Sequence, residues 1–415
     1  MEIASYMEGI FGKAREAGAR LGMMSAAEKN AVLLRMAGLL EKESDAIVKA
    51  NALDVEEAKK EMTKSEIDRL MLSRERIKSI ADDVRSVAAL RDPVGESEGW
   101  TVPSGLSIRR VRVPFGVIGA IYENRPNVTI DIASLCIKSG NACVLRGSAS
   151  ALNSNRALVK AITPALSESS LDGAVLFVDT PDRAAVEIMM KARGKLDLLI
   201  PRGGAGLIQR TVEQSRVPVI ETGTGNCHVF VDESADLGMA ERIVLNAKTQ
   251  RPSVCNAEEK LLVHRAAAKA FIPKIVKSLR ERGVEVRGDS ETLALVPDAK
   301  PATEEDWPKE YLDLVIAIKV VSGVEEAVAH INKYNSKHTE AIITSDYANA
   351  ERFTRGVDAA AVMVNASTRF TDGGQFGFGA EVGISTQKLH ARGPMGLREL
   401  TTYKYVVQGS GQTRS

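Results

Sequence analysis

The chain has 415 residues, 44% of them apolar, with 55 basic and 54 acidic side chains and a formal net charge of +1. That length suits two or three domains with large cores, and the near-neutral balance leaves no electrostatic footprint for nucleic acid or an acidic membrane surface. Aromatic residues make up only 4%, which argues against a base-stacking surface, and four cysteines without CxxC spacing beside five scattered histidines exclude a disulfide framework or a zinc site.

The first residues, Met1-Glu2-Ile3-Ala4-Ser5, lack the basic-then-apolar pattern of a signal peptide. No run of about 18 uninterrupted apolar residues follows to span a membrane, so a cytoplasmic protein is expected. The first ninety residues read as helices. Ile3, Met7, Ile10, Phe11, Ala14, Ala17 and Leu21 recur at helical spacing. Ser25 with Glu28, and Thr63 with Glu66, form capping boxes ahead of two further apolar stripes.

At Asp92-Pro93-Val94-Gly95 the texture changes, and Trp100–Val102 and Leu106–Val113 read as a hairpin around Pro103-Ser104-Gly105. Short β-rich runs then alternate with helical segments. Strands are expected at Gly116–Tyr122, Ala142–Leu145, Ala174–Phe177, Leu196–Ile200 and Val217–Ile220, separated by four helices. A second series begins after residue 255, with strands at Lys260–Val263, Val284–Arg287, Leu312–Val321, Glu340–Thr344 and Ala361–Asn365. Such alternation marks parallel α/β sheets, so two α/β lobes are expected to flank residues 220–260. Leu400–Val407 alternates like a strand that pairs either with the hairpin near residue 100 or with a neighbouring copy.

Several loops carry side chains fit for chemistry. Cys255 lies in Arg251-Pro252-Ser253-Val254-Cys255-Asn256-Ala257-Glu258 with Lys248 and Arg251 nearby in sequence; cations of this kind favour the reactive thiolate, whereas most intracellular cysteines are simply small buried hydrophobes. A complete GxGxxG is absent, but Arg202-Gly203-Gly204-Ala205-Gly206 follows a strand and opens a helix, where free amides suit an anion or merely a tight turn. Arg146 and Ser148, at another strand's end, suit a phosphate such as the 2′-phosphate of NADP, or a solvated turn. Asn124, Arg125 and Asn127 offer oxyanion or carboxylate contacts, or an Asn/Pro turn. Glu221 precedes Gly223 and Gly225, glycines that permit close approach of a ligand or of another backbone segment. The polar run Phe376–Gly396 holds Glu381, Lys388, His390 and Arg392, and polar loops of this length are often functional.

Together, Tyr122–Thr129, Pro201–Gly204, Gly225–His228, Arg251–Glu258 and Glu381–Pro394 resemble the aldehyde dehydrogenase superfamily, and more closely its γ-glutamyl phosphate reductase branch. The resemblance covers nearly the whole chain, and its last two segments are the most specific. It implies an aldehyde-dehydrogenase-like α/β fold with a Rossmann-like NADPH-binding lobe (1–97 and 113–228) that lacks the usual glycine fingerprint. A catalytic lobe (229–372) would follow, with a loop (373–397) returning to the cofactor lobe and a small oligomerising β element (98–112 and 398–415). The implied reaction is NADPH-dependent reduction of L-glutamyl 5-phosphate to L-glutamate 5-semialdehyde in proline biosynthesis. Cys255 would be the nucleophile and Glu381 would grip the nicotinamide ribose. Arg146, Ser148, Arg202, Gly203, Gly204 and Glu221 complete the cofactor set, Glu221 also matching the deacylation base of oxidising members. The oxyanion asparagine falls among Asn124, Arg125 and Asn127, with Asn124 favoured. Arg125, Arg251, Lys388 and Arg392 are the cations available for the anionic substrate. A homo-oligomer is implied, as is channelling of substrate from glutamate 5-kinase.

Overall fold

A computed structural model describes residues 2–414, without the side chains of residues 64, 65 and 205. Met1 and Ser415, the ends of the first and last predicted segments, lie outside the described residues. The chain divides into two compact units: unit 1 comprises 1–222, 377–383 and 395–415, and unit 2 comprises 223–376 and 384–394.

Unit 1 opens with helices α1 (Ile3–Leu21), α2 (Ala26–Lys42), α3 (Ser44–Ala58), α4 (Lys64–Leu70) and α5 (Arg74–Ala89). The predicted stripe of α1 is buried at Met7, Ile10, Phe11, Ala14, Ala17 and Leu21, each large side chain contributing about 1.5–3 kcal/mol by leaving water. Both capping boxes form, Ser25 with Glu28 before α2 and Thr63 with Glu66 before α4. Asn51 on α3 is 2% exposed and donates to Leu70 O (2.8 Å) and Ser154 Oγ (3.0 Å), while Leu72 N donates to its Oδ1 (2.7 Å).

The hairpin strands β1 (Ser97–Thr101) and β2 (Ser107–Pro114) precede the Rossmann-like core. That core runs β3 (Val117–Tyr122), α6 (Asn127–Lys138), β4 (Ala142–Arg146), α7 (Leu152–Glu168), β5 (Val175–Phe177), α8 (Ala184–Lys191), β6 (Leu198–Arg202) and α9 (Ala205–Gln214). Its sheet is parallel, in the order β5-β4-β3-β6. The expected strand Val217–Ile220 is reduced to one bridge between Leu199 and Val219. Pro218 accounts for this, because it has no N–H to continue a ladder, although its carbonyl still accepts from Leu199 N at 2.8 Å.

The strand series of unit 2 starts before Cys255, one strand earlier than the series read from the sequence. Strand β7 (Cys227–Val231) and helix α10 (Leu237–Thr249) lead into β8 (Glu258–His264) and α11 (Arg265–Arg280). The chain continues through β9 (Glu285–Gly288), α12 (Ser290–Leu295), β10 (Lys300–Pro301), β11 (Val315–Val321) and α13 (Val324–Tyr334). Then come β12 (Thr339–Ile343), α14 (Tyr347–Gly356), β13 (Ala361–Val364) and a short ribbon of β14 (Ile384–Ser385) with β15 (Gly393–Pro394). Among the described residues the main sheet has seven parallel strands in the order β10-β9-β11-β8-β7-β12-β13. Helices α10 and α11 cover one side through Val244, Phe271 and Ile275, and α13 and α14 bring Ile331 and Phe353 against Phe230 and Leu262 in a separate cluster.

The chain then returns to unit 1, where β16 (Thr401–Gln408) lies antiparallel to β2, making the three-stranded order β1-β2-β16. Of the two pairings open to this strand, the hairpin is the one formed within the chain. Trp100, Tyr403, Tyr405 and Val407 remain 45–55% exposed on this sheet.

Candidate functional site

The four cysteines are not equivalent. Cys136, Cys143 and Cys227 are buried, whereas Cys255 is only partly so. Burial pushes the Cys143 and Cys227 thiols well above the usual range, which keeps them protonated and chemically quiet. Cys255 sits in an irregular turn between α10 and β8, held by a bond from Ala257 N to Val254 O (3.0 Å).

The turn is seated by its own unit. Gly225 packs so tightly on the Cys255 peptide that a Cβ there would lie 2.6 Å from Cys255 Cα and closer still to the carbonyl. This is the close backbone approach that the glycines before β7 allow. Gly225 N donates to Glu310 Oε1 (2.6 Å), and Cys227 Sγ donates to Cys255 O (3.2 Å). Asn226 Nδ2 donates to the carbonyls of Trp307 and Tyr334, each at 2.8 Å. On the other side of Cys255, Asn256 Nδ2 donates to Thr371 O (2.9 Å), and its Oδ1 accepts from Arg369. Sequence reading passes over Arg369, Cys227 and Glu310, because no local pattern links them to a turn many residues away.

The amino ends of β7, β8 and β12 carry a buried polar cluster. Lys248 and Glu259 form an ion pair at 3.1 Å with both side chains fully buried. Glu340 Oε2 accepts from His228 N (2.7 Å) and lies 3.0 Å from His228 Nδ1. Burial lowers the Lys260 ammonium to about 7, against the attraction of Glu259, and that ammonium donates to Lys309 O at 2.7 Å. His330, in contact with the rings of Trp307, Tyr334 and His228, is held down at about 3 by burial, with His228 and Lys319 adding to the effect.

The other unit 2 candidates fall in two places. Arg251 is exposed in the same turn as Cys255. Lys388 and Arg392 come together on Asp358, at 2.9 and 2.7 Å, and these bonds hold the Asp358 carboxyl at about 2. His390 is exposed in a left-handed turn, φ 34°, beside Leu389 at 84% exposure.

In unit 1 the candidates gather at the carboxyl ends of β3, β4 and β6, where parallel α/β sheets hold ligands. Asn124 and Ser148 meet: Asn124 Oδ1 accepts from Ser148 Oγ (2.8 Å) and Ser150 Oγ (2.6 Å). Arg146 is 8% exposed and donates to Gly147 O and to Pro181 O (3.1 Å). Its Nε and the Nδ2 of Asn155 are buried donors without a partner among the described residues. A Cβ at Gly147 would run into Asn155, so the turn after β4 must be bare.

The turn Gly203-Gly204 already holds an anion of the chain itself. Glu123 Oε2 accepts from Gly204 N at 2.7 Å, at the start of α9, and a Cβ at Gly203 would sit 2.5 Å from that carboxylate oxygen. Arg202 packs its guanidinium on Gly383, whose φ of +148° keeps it glycine. Glu381 lies two residues before that glycine, with the backbone pinned by Val382 N to Met395 O (2.9 Å) and Met395 N to Gly383 O (2.8 Å). Glu221 is partly buried beside Thr222, whose Oγ1 donates to Pro201 O at 2.8 Å. Arg125 is exposed.

The aldehyde dehydrogenase family profile matches residues 4–300. A γ-glutamyl phosphate reductase of Carboxydothermus hydrogenoformans is 58% identical over 405 residues, covering 97% of this chain and 98% of that one. One from Caldanaerobacter subterraneus subsp. tengcongensis is 55% identical, with the same coverage. The crystal structure of the Thermotoga maritima γ-glutamyl phosphate reductase superposes with a TM-score of 0.96 at 54% identity, over 98% of this chain and 99% of that one. An acetylating aldehyde dehydrogenase from Geobacillus thermoglucosidasius, at 18% identity, shares the fold with a TM-score of 0.73. The chain belongs to the aldehyde dehydrogenase family and, within it, to the γ-glutamyl phosphate reductases.

Proposed function

We propose that the protein reduces L-glutamyl 5-phosphate to L-glutamate 5-semialdehyde and phosphate, the second step of proline biosynthesis from glutamate, through a thioester on Cys255. The observation that carries this reading is full-length identity above one half to γ-glutamyl phosphate reductases, joined to a single partly buried cysteine in a seated turn. In the proposed sequence the Cys255 thiolate attacks the acyl carbon and phosphate leaves with its electron pair, so no strong acid is required. After reduction the tetrahedral oxyanion is held by the Cys255 amide and the Asn124 side chain, then collapses to expel thiolate and release the aldehyde.

We assign unit 1 to the cofactor and unit 2 to the nucleophile. The unpartnered Arg146 Nε and Asn155 Nδ2 suit an anionic dinucleotide. NADPH would supply the hydride when bound. Arg146, Ser148, Arg202, Gly203, Gly204, Glu221 and Glu381 would hold it, with Arg146 favouring a 2′-phosphate over NADH. Arg125, Arg251, Lys388 and Arg392 would receive the substrate's phosphate and α-carboxylate, the last two as a pair already shared with Asp358. The acyl phosphate would pass directly from glutamate 5-kinase. The exposed aromatic sheet β1-β2-β16 supports a homo-oligomer, the apolar surface being the part to cover.

Cys255→Ala should abolish phosphate-dependent reduction of NADP⁺ by glutamate semialdehyde. Turnover near the wild-type rate in that variant would overturn the proposal.

A further inference from the structure

We propose that Arg369 is a positioning residue for the nucleophile: its guanidinium clamps the two ends of the Cys255 turn and places a fixed positive charge beside the thiol. The inference rests on Cys255 being the nucleophile.

Arg369 lies in a 3₁₀ turn, Thr368–Phe370, opened by Ser367, whose Oγ accepts from Arg369 N at 3.3 Å. Its Nε donates to Gln250 Oε1 at 2.7 Å and its Nη1 to Asn256 Oδ1. Gln250 ends α10 and Asn256 directly follows Cys255. One planar group therefore closes the segment 251–255 at both ends. Asn256 also donates through Nδ2 to the carbonyls of Arg369 (3.4 Å) and Thr371 (2.9 Å), so the link runs in both directions.

The chemistry requires arginine. Two donors in a fixed fork reach two acceptors at once, which the single ammonium of lysine does not reproduce. The guanidinium is also close enough to Cys255 for the two to interact electrostatically, and it repels Arg251. The charged and titratable groups around the pair are Arg251 from the same turn, Asp372 from the segment after the 3₁₀ turn, the neutral thiol of Cys227 from β7 and, on Gly225 N, the carboxyl of Glu310. Arg369 is the cation bonded to both ends of this turn, and a guanidinium beside a thiol favours its ionised form.

The test follows alkylation of Cys255 by iodoacetamide from pH 5 to 9, read on the Cys255 peptide by mass spectrometry, in wild type, Arg369→Gln and Arg369→Lys. In Arg369→Gln the apparent thiol pKa should rise by about one unit or more, and kcat/KM should fall about 100-fold as the turn loosens. Arg369→Lys keeps the charge, so its titration should stay near that of wild type while kcat/KM falls about tenfold for the lost fork. A Gln variant titrating like wild type, or a Lys variant shifted as far as the Gln variant, would overturn the assignment. Failure of the nucleophile reading would show itself separately, as turnover surviving in Cys255→Ala.

Discussion

Replacing Gly225 by alanine isolates one steric contact at Cys255. Gly225 has no left-handed φ, so alanine can adopt its backbone conformation without strain. What alanine cannot do is share the space. Its Cβ would stand 2.6 Å from Cys255 Cα, with the carbonyl carbon and oxygen closer still. Carbon atoms rest at about 3.5 Å from one another, and the Cys255 carbonyl is nearer to the new Cβ than its Cα is, so the Cys255 peptide or β7 must move by at least about 1 Å. Movement of β7 is opposed by Glu310 on Gly225 N and by the two carbonyls that hold Asn226. A misplacement of about 1 Å at a reacting group costs on the order of 100-fold in rate. The expected result is that kcat/KM for phosphate-dependent semialdehyde oxidation falls about 100-fold in Gly225→Ala, while circular dichroism retains the native helix content. Activity within about fivefold of wild type would refute the reasoning, since that much rate is less than 1 kcal/mol of barrier.

Two further predictions concern stability. His330 is held near 3 in the folded chain but titrates near 6.5 when unfolded. The unfolded state therefore takes up the extra proton. The stabilisation is complete above about pH 6.5 and declines as pH falls toward 3, by at most about 1.4 kcal/mol per pH unit. In His330→Phe the drop in thermal midpoint between pH 7.5 and pH 5.5 should shrink, and an unchanged drop would remove His330 as a source. Asn51→Ala leaves the buried Leu70 carbonyl and Leu72 amide without their partner. It should cost about 2–3 kcal/mol and lower the thermal midpoint accordingly; a midpoint equal to that of wild type would contradict the role assigned to Asn51.

Local physics was legible in the sequence wherever the determinants are neighbours. The capping boxes at Ser25 and Thr63 need only a residue and its partner three positions on, and both form. The alternation of β runs and helices was readable for the same reason, whereas Gly223 and Gly225 could be read only as permitting close approach of a ligand or of another backbone segment. The strand Cys227–Val231 was hidden because it opens with Cys-His, polar types buried here by contacts with Glu340 and the Cys255 carbonyl. Val217–Ile220 looked like a strand because it is short and rich in β-branched residues, but Pro218 limits it to one bridge. Arg369 and Asp358 were invisible as partners of the site. Arg369 reaches Gln250 and Asn256 across more than a hundred residues, and no spacing rule spans that interval.

The pairing of β16 with β2 has a consequence for synthesis. Pro114 faces Thr401 in that ladder, so one edge of β2 is made nearly 300 residues before its partner appears. At about 5–20 residues per second, translation leaves that edge open for on the order of 15–60 s. During that interval β1 and β2 form only a two-stranded ribbon, which is marginal on its own, with an unpaired row of backbone groups that invites other nascent chains. The alternating arginines of β2, Arg110 and Arg112, put charge on that waiting edge. A ribosome that stalls between codons 394 and 400 would release a chain whose seven-stranded unit is encoded in full but whose β2 has no strand to close it.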